Sequence, residues 1–204
     1  MTEPQERCPW CGDAPDYVAY HDQVWGRPVA DPLELFAKLC LDGQQAGLSW
    51  LTILRKQANY RAAFADFDPD RLAHFNHQDV ERLMQNTGIV RNRLKIQSIL
   101  KNAAGYRKMR SQGQNFAHFL WSFVDGRPQI NHFASFPEIP TETAASQAMS
   151  RALKQHGFNF VGPTICYAFM QAVGMVNDHL TGCPQRAETL ALSRSFQLPP
   201  APPC

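Results

Sequence analysis

Apolar residues in this 204-residue chain recur at helical spacing, and no segment alternates apolar and polar residues between hairpin turns as a strand would. That pattern restricts the fold to an all-α one. Asp31 and Pro32 supply an N-cap and a first-turn proline, after which Leu33, Leu35, Phe36, Leu39 and Cys40 form one apolar face. Gly43 is expected to end that helix. Ser49 caps a second helix running through Trp50, Ile53 and Leu54 towards Phe64. Asp68 and Pro69 repeat the start signal for a short helix with Val80, Leu83 and Met84, stopped near Gly88. A longer helix carries Leu94, Ile96, Ile99, Leu100 and Ala103, and three more cover Phe116–Phe123, Ala144–Gln155 and Thr164–Val173. Residues 1–30 are rich in turn formers and aromatics and show little helical period. Residues 1–190 are read as one domain and 191–204 as a proline-rich, disordered tail, in which Cys204 is an exposed thiol.

Composition excludes several classes of protein. With 44% hydrophobic and 19% charged residues, the chain is neither disordered nor membrane-spanning, and its longest apolar run, Phe116–Val124, is too short for a bilayer. The first seven residues carry two glutamates, unlike a signal peptide, so a reducing cytoplasm is the expected compartment. The net charge of +2 does not announce a nucleic-acid partner. Its distribution says more: no acid falls between Arg82 and Val124, whereas Arg82, Arg91, Arg93, Lys95, Lys101, Arg107, Lys108 and Arg110 all do. Such a stretch is either a footprint for a polyanion or a solvated helix face whose acids lie across the fold.

Cys8, Cys11 and His21 lie near one end of the chain, and His179 and Cys183 near the other. Thiolates combined with imidazoles are the donor set of closed, four-coordinate structural zinc, and the i, i+4 spacing of His179 and Cys183 lets both reach one ion. A shared ion would fasten the N-terminal segment onto the helical body. The Cys8-Pro9-Trp10-Cys11 sequence also admits a knuckle using both thiolates, a redox dithiol, or unrelated core residues; the redox reading needs a βαβ setting that the pattern lacks.

The run Leu41-Asp42-Gly43-Gln44-Gln45-Ala46-Gly47-Leu48-Ser49-Trp50 resembles the bacterial 3-methyladenine DNA glycosylase I family. So do Tyr17-Val18-Ala19-Tyr20-His21-Asp22, Trp25-Gly26, Trp121-Ser122-Phe123-Val124, Phe158-Asn159-Phe160-Val161-Gly162-Pro163-Thr164-Ile165-Cys166 and Val176-Asn177-Asp178-His179. The likeness covers nearly all of residues 7–183. It implies a helix-hairpin-helix glycosylase fold, two helical lobes around a cleft, with the termini joined by one structural zinc on Cys8, His21, His179 and Cys183, and Cys11 left as a bystander or alternative ligand.

By the same resemblance, the partners are double-stranded DNA with alkylated bases and a flipped 3-methyladenine nucleotide, handled by a monomer without a membrane. A base must leave the stack to be excised, and it is then read by stacking and edge hydrogen bonds. Trp10, Tyr17, Tyr20, Trp25 and Trp50 are the substrate-binding candidates, Trp50 and Tyr20 foremost, and Asp42 is the catalytic candidate. The family usually has glutamate at position 42; the aspartate here is one methylene shorter and is expected to be partly solvated. Gly157, Gly162 and Thr164 are expected to grip DNA through a hairpin and the helix start that follows it. No lysine lies in residues 157–164, so the implied enzyme is a monofunctional hydrolase without strand-cleaving chemistry. Two alternatives stay beside it: a zinc-stapled DNA-binding protein without catalysis, and a metallohydrolase whose zinc activates water.

Overall fold

The computed structural model describes residues 6–200. Eleven α-helices are found there: α1 Pro15–Gln23, α2 Pro32–Gln45, α3 Trp50–Leu54, α4 Gln57–Ala63, α5 Pro69–Leu72, α6 His77–Met84, α7 Arg93–Ser111, α8 Phe116–Trp121, α9 Ala144–Gln155, α10 Pro163–Ala172 and α11 Arg186–Ser195. The described strands are two short segments, Gln129–Ile130 and Val176–Asn177, paired in parallel. The all-α expectation therefore matches the architecture.

Helices α5, α6 and α8 pack on α7, and α4 joins them through the single turn Ala65–Phe67, while α9, α10, α11 and the strand pair form a second group built from the later part of the chain. Helix α2 touches both groups, through α7 and α8 on one side and α10 on the other. Its sequence explains that position. Asp31 caps it by accepting from Leu33 N and Glu34 N, and nine consecutive or near-consecutive residues from Leu35 to Gln44 are buried rather than a single stripe.

Gly43 does not end α2. It lies inside the helix, where a Cβ would come within 3.1 Å of Phe160, so the glycine allows α2 to approach the α9–α10 connection closely. The helix stops two residues later, and the left-handed residue after it is Gly47, at φ +73°. The helix expected from Trp50 to Phe64 is broken into α3 and α4. Helix α1 lies inside the segment read as non-helical, because Tyr17, Tyr20 and His21 hold its inward positions where aliphatic residues would have signalled a period.

Helix α11 was not anticipated, and it runs across residue 190. Beyond it, Phe196 stacks on Trp121 with centroids 4.3 Å apart, and His118 Nε2 lies 2.8 Å from the Pro199 carbonyl. Residues 191–200, expected to be disordered, are thus helical in part and packed on the body. Cys204 lies outside the described residues.

Candidate active site and metal cluster

Helices α1, α2 and α10, together with Trp10, Trp25, Trp50, Phe136 and Ile139, enclose a cavity of about 190 Å³. All five aromatic candidates, Trp10, Tyr17, Tyr20, Trp25 and Trp50, line it together with Asp42. The rings brace one another: Trp10 meets Tyr17 edge-on at 5.2 Å and lies tilted against Trp25 at 4.9 Å, and Tyr20 lies 5.5 Å from Trp50. Ser49, accepting from Thr52 N, starts the helix that carries Trp50.

Asp42 is not partly solvated. It is 1% exposed and accepts from Lys38, one turn earlier on α2. Burial pushes its carboxyl upward against the opposing pull of Lys38, and burial likewise pulls the Lys38 ammonium down. Lys38 also lies 3.9 Å from the centre of the Trp50 ring. Asp42 Oδ2, Trp50 Nε1 and Trp10 Nε1 are buried with no hydrogen-bond partner. Asp42, Trp50 and Trp10 line the cavity and each keeps one buried polar atom unpartnered, while Lys38, Gln45, Gln171 and the two tyrosines add further polar side chains to its wall.

Sequence reasoning missed Lys38, Gln171 and the Phe136–Ile139 wall. Lys38 carried a signal, the i, i+4 spacing to Asp42. Gln171 lines the cavity and donates to Asp178, whose buried carboxylate also accepts from Tyr167 and Asn131.

Behind the aromatic wall, donor atoms of Cys8, His21, His179 and Cys183 all lie within 4.8 Å of one another, and all four residues are buried. These residues can hold a metal ion. Cys183 Sγ is 3.4 Å from His179 Nδ1 and 3.6 Å from His21 Nε2, and Cys8 Sγ is 3.8 Å from His179 Nδ1. Each imidazole is oriented by its outward nitrogen: His21 Nδ1 bonds Asp22 at 2.7 Å, and His179 Nε2 faces the Trp25 carbonyl at 3.3 Å. Hydrogen bonding with Cys8 and with both imidazoles pulls the Cys183 thiol far down, whereas the Cys8 thiol is pushed up by Cys183 and by burial. Cys11 is outside the cluster, its thiol turned to the Cys8 and Gly12 carbonyls. The cluster touches the cavity wall, since His179 meets Trp25 edge-on at 4.7 Å and His21 meets Trp10 at 5.3 Å.

The connection between α9 and α10 holds Gly157, Gly162 and, just inside α10, Thr164. Gly157 is exposed at φ +86°, a conformation that favours glycine. Gly162 has an ordinary φ of −63°, so no tight turn depends on it; it is the N-cap residue, and its surroundings are open. Helix α10 starts at Pro163 without a side-chain cap, and Thr164 is exposed. Asn102 on α7 clamps the connection by accepting from Asn159 N at 2.7 Å and donating to Asn159 O at 3.3 Å.

The acid-free basic stretch resolves into two kinds of residue. Arg82 pairs with Asp79 on its own helix, Arg93 with Glu81, and Arg107 and Arg110 with Asp70, so much of it is a surface balanced by acids from outside the stretch. Lys95 is buried and donates to the Gln44 and Ala46 carbonyls at the end of α2. Arg91, Lys101 and Lys108 are exposed and form no ion pair among the described residues.

An aromatic cavity with one buried carboxylate in its wall suits a flat base that has left its stack, the kind of ligand a base-excision protein takes. The methyladenine glycosylase family model matches residues 10–187, and the chain belongs to that family. It is 54% identical to DNA-3-methyladenine glycosylase 1 of Escherichia coli over 178 residues, which are 87% of this chain and 95% of that protein. A crystal structure of a 3-methyladenine DNA glycosylase I superposes with a TM-score of 0.87 at 57% identity, covering 88% of this chain and 98% of the other. The Staphylococcus aureus 3-methyladenine DNA glycosylase I, solved to define 3-methyladenine recognition, matches with a TM-score of 0.86 at 40% identity, over 89% and 97% of the two chains.

Proposed function

We propose that this protein hydrolyses the N-glycosidic bond of alkylated DNA and releases 3-methyladenine, acting in base-excision repair as a monofunctional glycosylase. The observation that carries this reading is the unpartnered Asp42 Oδ2, buried in an aromatic cavity in a chain of this family. The flipped base stacks among Trp50, Tyr20, Tyr17, Trp25 and Trp10, and its exocyclic amine donates to Asp42 Oδ2. Methylation at N3 leaves the base cationic and weakens its bond to the sugar. As that bond breaks, its electron pair passes to the purine and discharges it. Water adds to the sugar carbon and gives up a proton to solvent. Asp42 recognises the base and opposes positive charge on the bound nucleoside.

The α9–α10 connection, with Gly157, Gly162 and Thr164, is the proposed DNA grip, the uncapped start of α10 offering backbone N–H groups to a phosphate. Exposed Arg91, Lys101 and Lys108 add sequence-independent attraction. The cluster is proposed to hold one structural zinc. Zn–S and Zn–N bonds at a tetrahedral angle would put sulfur and nitrogen about 3.5 Å apart, and the spacings here are 3.4, 3.6 and 3.8 Å. Two thiolates and two imidazoles fill a four-coordinate shell, which favours a structural over a water-activating role. The chain is proposed to act as a cytoplasmic monomer, as its family resemblance implies. No described helix is long and apolar enough to cross a membrane.

Borohydride trapping tests the monofunctional chemistry. Incubation with methylated duplex should leave abasic strands uncut and no covalent protein–DNA adduct. A trapped adduct would show that an amine of the protein attacks the sugar.

A further inference from the structure

Lys38 stands between two cavities. It lines the base cavity and also an adjoining one of about 110 Å³, whose wall includes Glu34 and Arg61. On the base side its ammonium bonds Asp42 Oδ1 and covers the Trp50 ring, 3.9 Å from the centroid. Both are partners of the flipped base as well, the ring for stacking and the carboxylate for the exocyclic amine. We infer that Lys38 is an internal competitor for the base: it holds the Trp50 ring in the free protein, moves off it when a purine stacks there, and returns as the released base leaves. The inference deepens the glycosylase reading and rests on it.

The competition is one of space before it is one of charge. A stacked purine occupies the layer about 3.5–4 Å from the indole plane, and the Lys38 ammonium already lies in that layer. Asp42 Oδ2, in contrast, is left open while Lys38 is in place. A base can therefore dock its amine on the carboxylate first and take over the ring afterwards.

The displaced cation has a second partner outward. Glu34 lies one turn back on α2, and a glutamate four residues before a lysine is the better-oriented helical pair; a lysine four residues before an aspartate is the reverse order. Arg61 bonds one Glu34 oxygen and also pairs with Asp66, so the Glu34 carboxylate has room for a further donor. Burial pulls the inward ammonium down, and movement toward Glu34 relieves that desolvation. The consequence is weak retention of product. Apparent affinity falls by the fraction of molecules whose ring is free, so a cavity that refills with its own cation lets the excised base go.

Titration of tryptophan fluorescence with 3-methyladenine tests this in the wild type and two variants. Lys38→Met keeps the length of the side chain without the ammonium and should bind 3-methyladenine about tenfold more tightly, or better. Glu34→Gln removes the outward partner and should weaken binding by about threefold. The concentration of added 3-methyladenine that halves the initial excision rate should shift by the same factors. A merely structural Lys38 would give weaker binding when removed, so unchanged or weaker binding by folded Lys38→Met would overturn the inference. A measurement on the wild type needs no variant. The Lys38 ε-methylene protons, shielded by the Trp50 ring in the free protein, should return toward the ordinary lysine position in the NMR spectrum once 3-methyladenine saturates the protein. Protons that keep their shielded position would also overturn the inference. Release of 3-methyladenine from methylated DNA by the wild type is scored separately, so failure of the glycosylase reading is not confused with failure of this one.

Discussion

Asp42 keeps a carboxylate at 1% exposure by sharing it with Lys38, and one of its oxygens is left without a partner. Two outcomes follow at this residue. Asp42→Asn should slow excision far more than it weakens affinity for undamaged DNA, as read by single-turnover base release beside a DNA-binding titration. The same variant should lose about 3 kcal/mol of stability in denaturant unfolding, because it strands the Lys38 ammonium in a buried site. A partly solvated carboxylate would have cost little, so the pairing reverses the stability expectation that the sequence alone supports. Asp42→Glu should retain or raise the excision rate by reaching further into the cavity. Wild-type excision by a folded Asp42→Asn protein would make Asp42 a bystander. The aromatic set and Asp42 were readable from motifs. Lys38 was not, because a Lys at i and an Asp at i+4 on a helix look like an ordinary surface pair until burial is known.

Most helices were legible as elements, and their boundaries less so. Start signals are chemical and local: Asp31, Ser49 and Thr143 accept backbone N–H groups at or next to the expected positions, whereas Asp68 caps only the one-turn α5, and the helix carrying Val80, Leu83 and Met84 starts separately at an Asn76 cap. Stops depend on neighbours. Gly43 reads as a terminator, yet its missing Cβ serves the approach of Phe160, a contact invisible along the chain. Helix α1 escaped notice because an aromatic and imidazole face does not raise an aliphatic period. The α9–α10 connection takes its shape from α7 as much as from its own glycines. Asn102→Ala removes both hydrogen bonds to Asn159 and should cost about 1–3 kcal/mol. It should also weaken binding to duplex DNA while leaving affinity for free 3-methyladenine unchanged, since Asn102 is absent from the cavity wall. Equal loss of both affinities would show that the connection and the cavity are not separable.

Across the molecule, four donors from opposite ends of the chain meet behind the wall of the base cavity, so metal binding, closure of the termini and cavity shape are linked. The four residues were legible as a donor set, but their contact with Trp10 and Trp25 was not, because spacing carries no information about what packs behind a ligand. Protein purified without added metal should contain about one zinc per chain by elemental analysis. Chelation or His179→Ala should lower both the melting temperature and the affinity for 3-methyladenine; full zinc occupancy in a Cys8/His21 double substitution would refute the assigned ligands. DNA affinity should fall with rising salt as counterions are released. The central claim is base release. Purified protein incubated with N-methylated duplex DNA, followed by mass-spectrometric identification of the free bases, should yield 3-methyladenine from an uncut strand. Binding of the duplex with no free methylated base released would contradict it and leave a DNA-binding protein without catalysis.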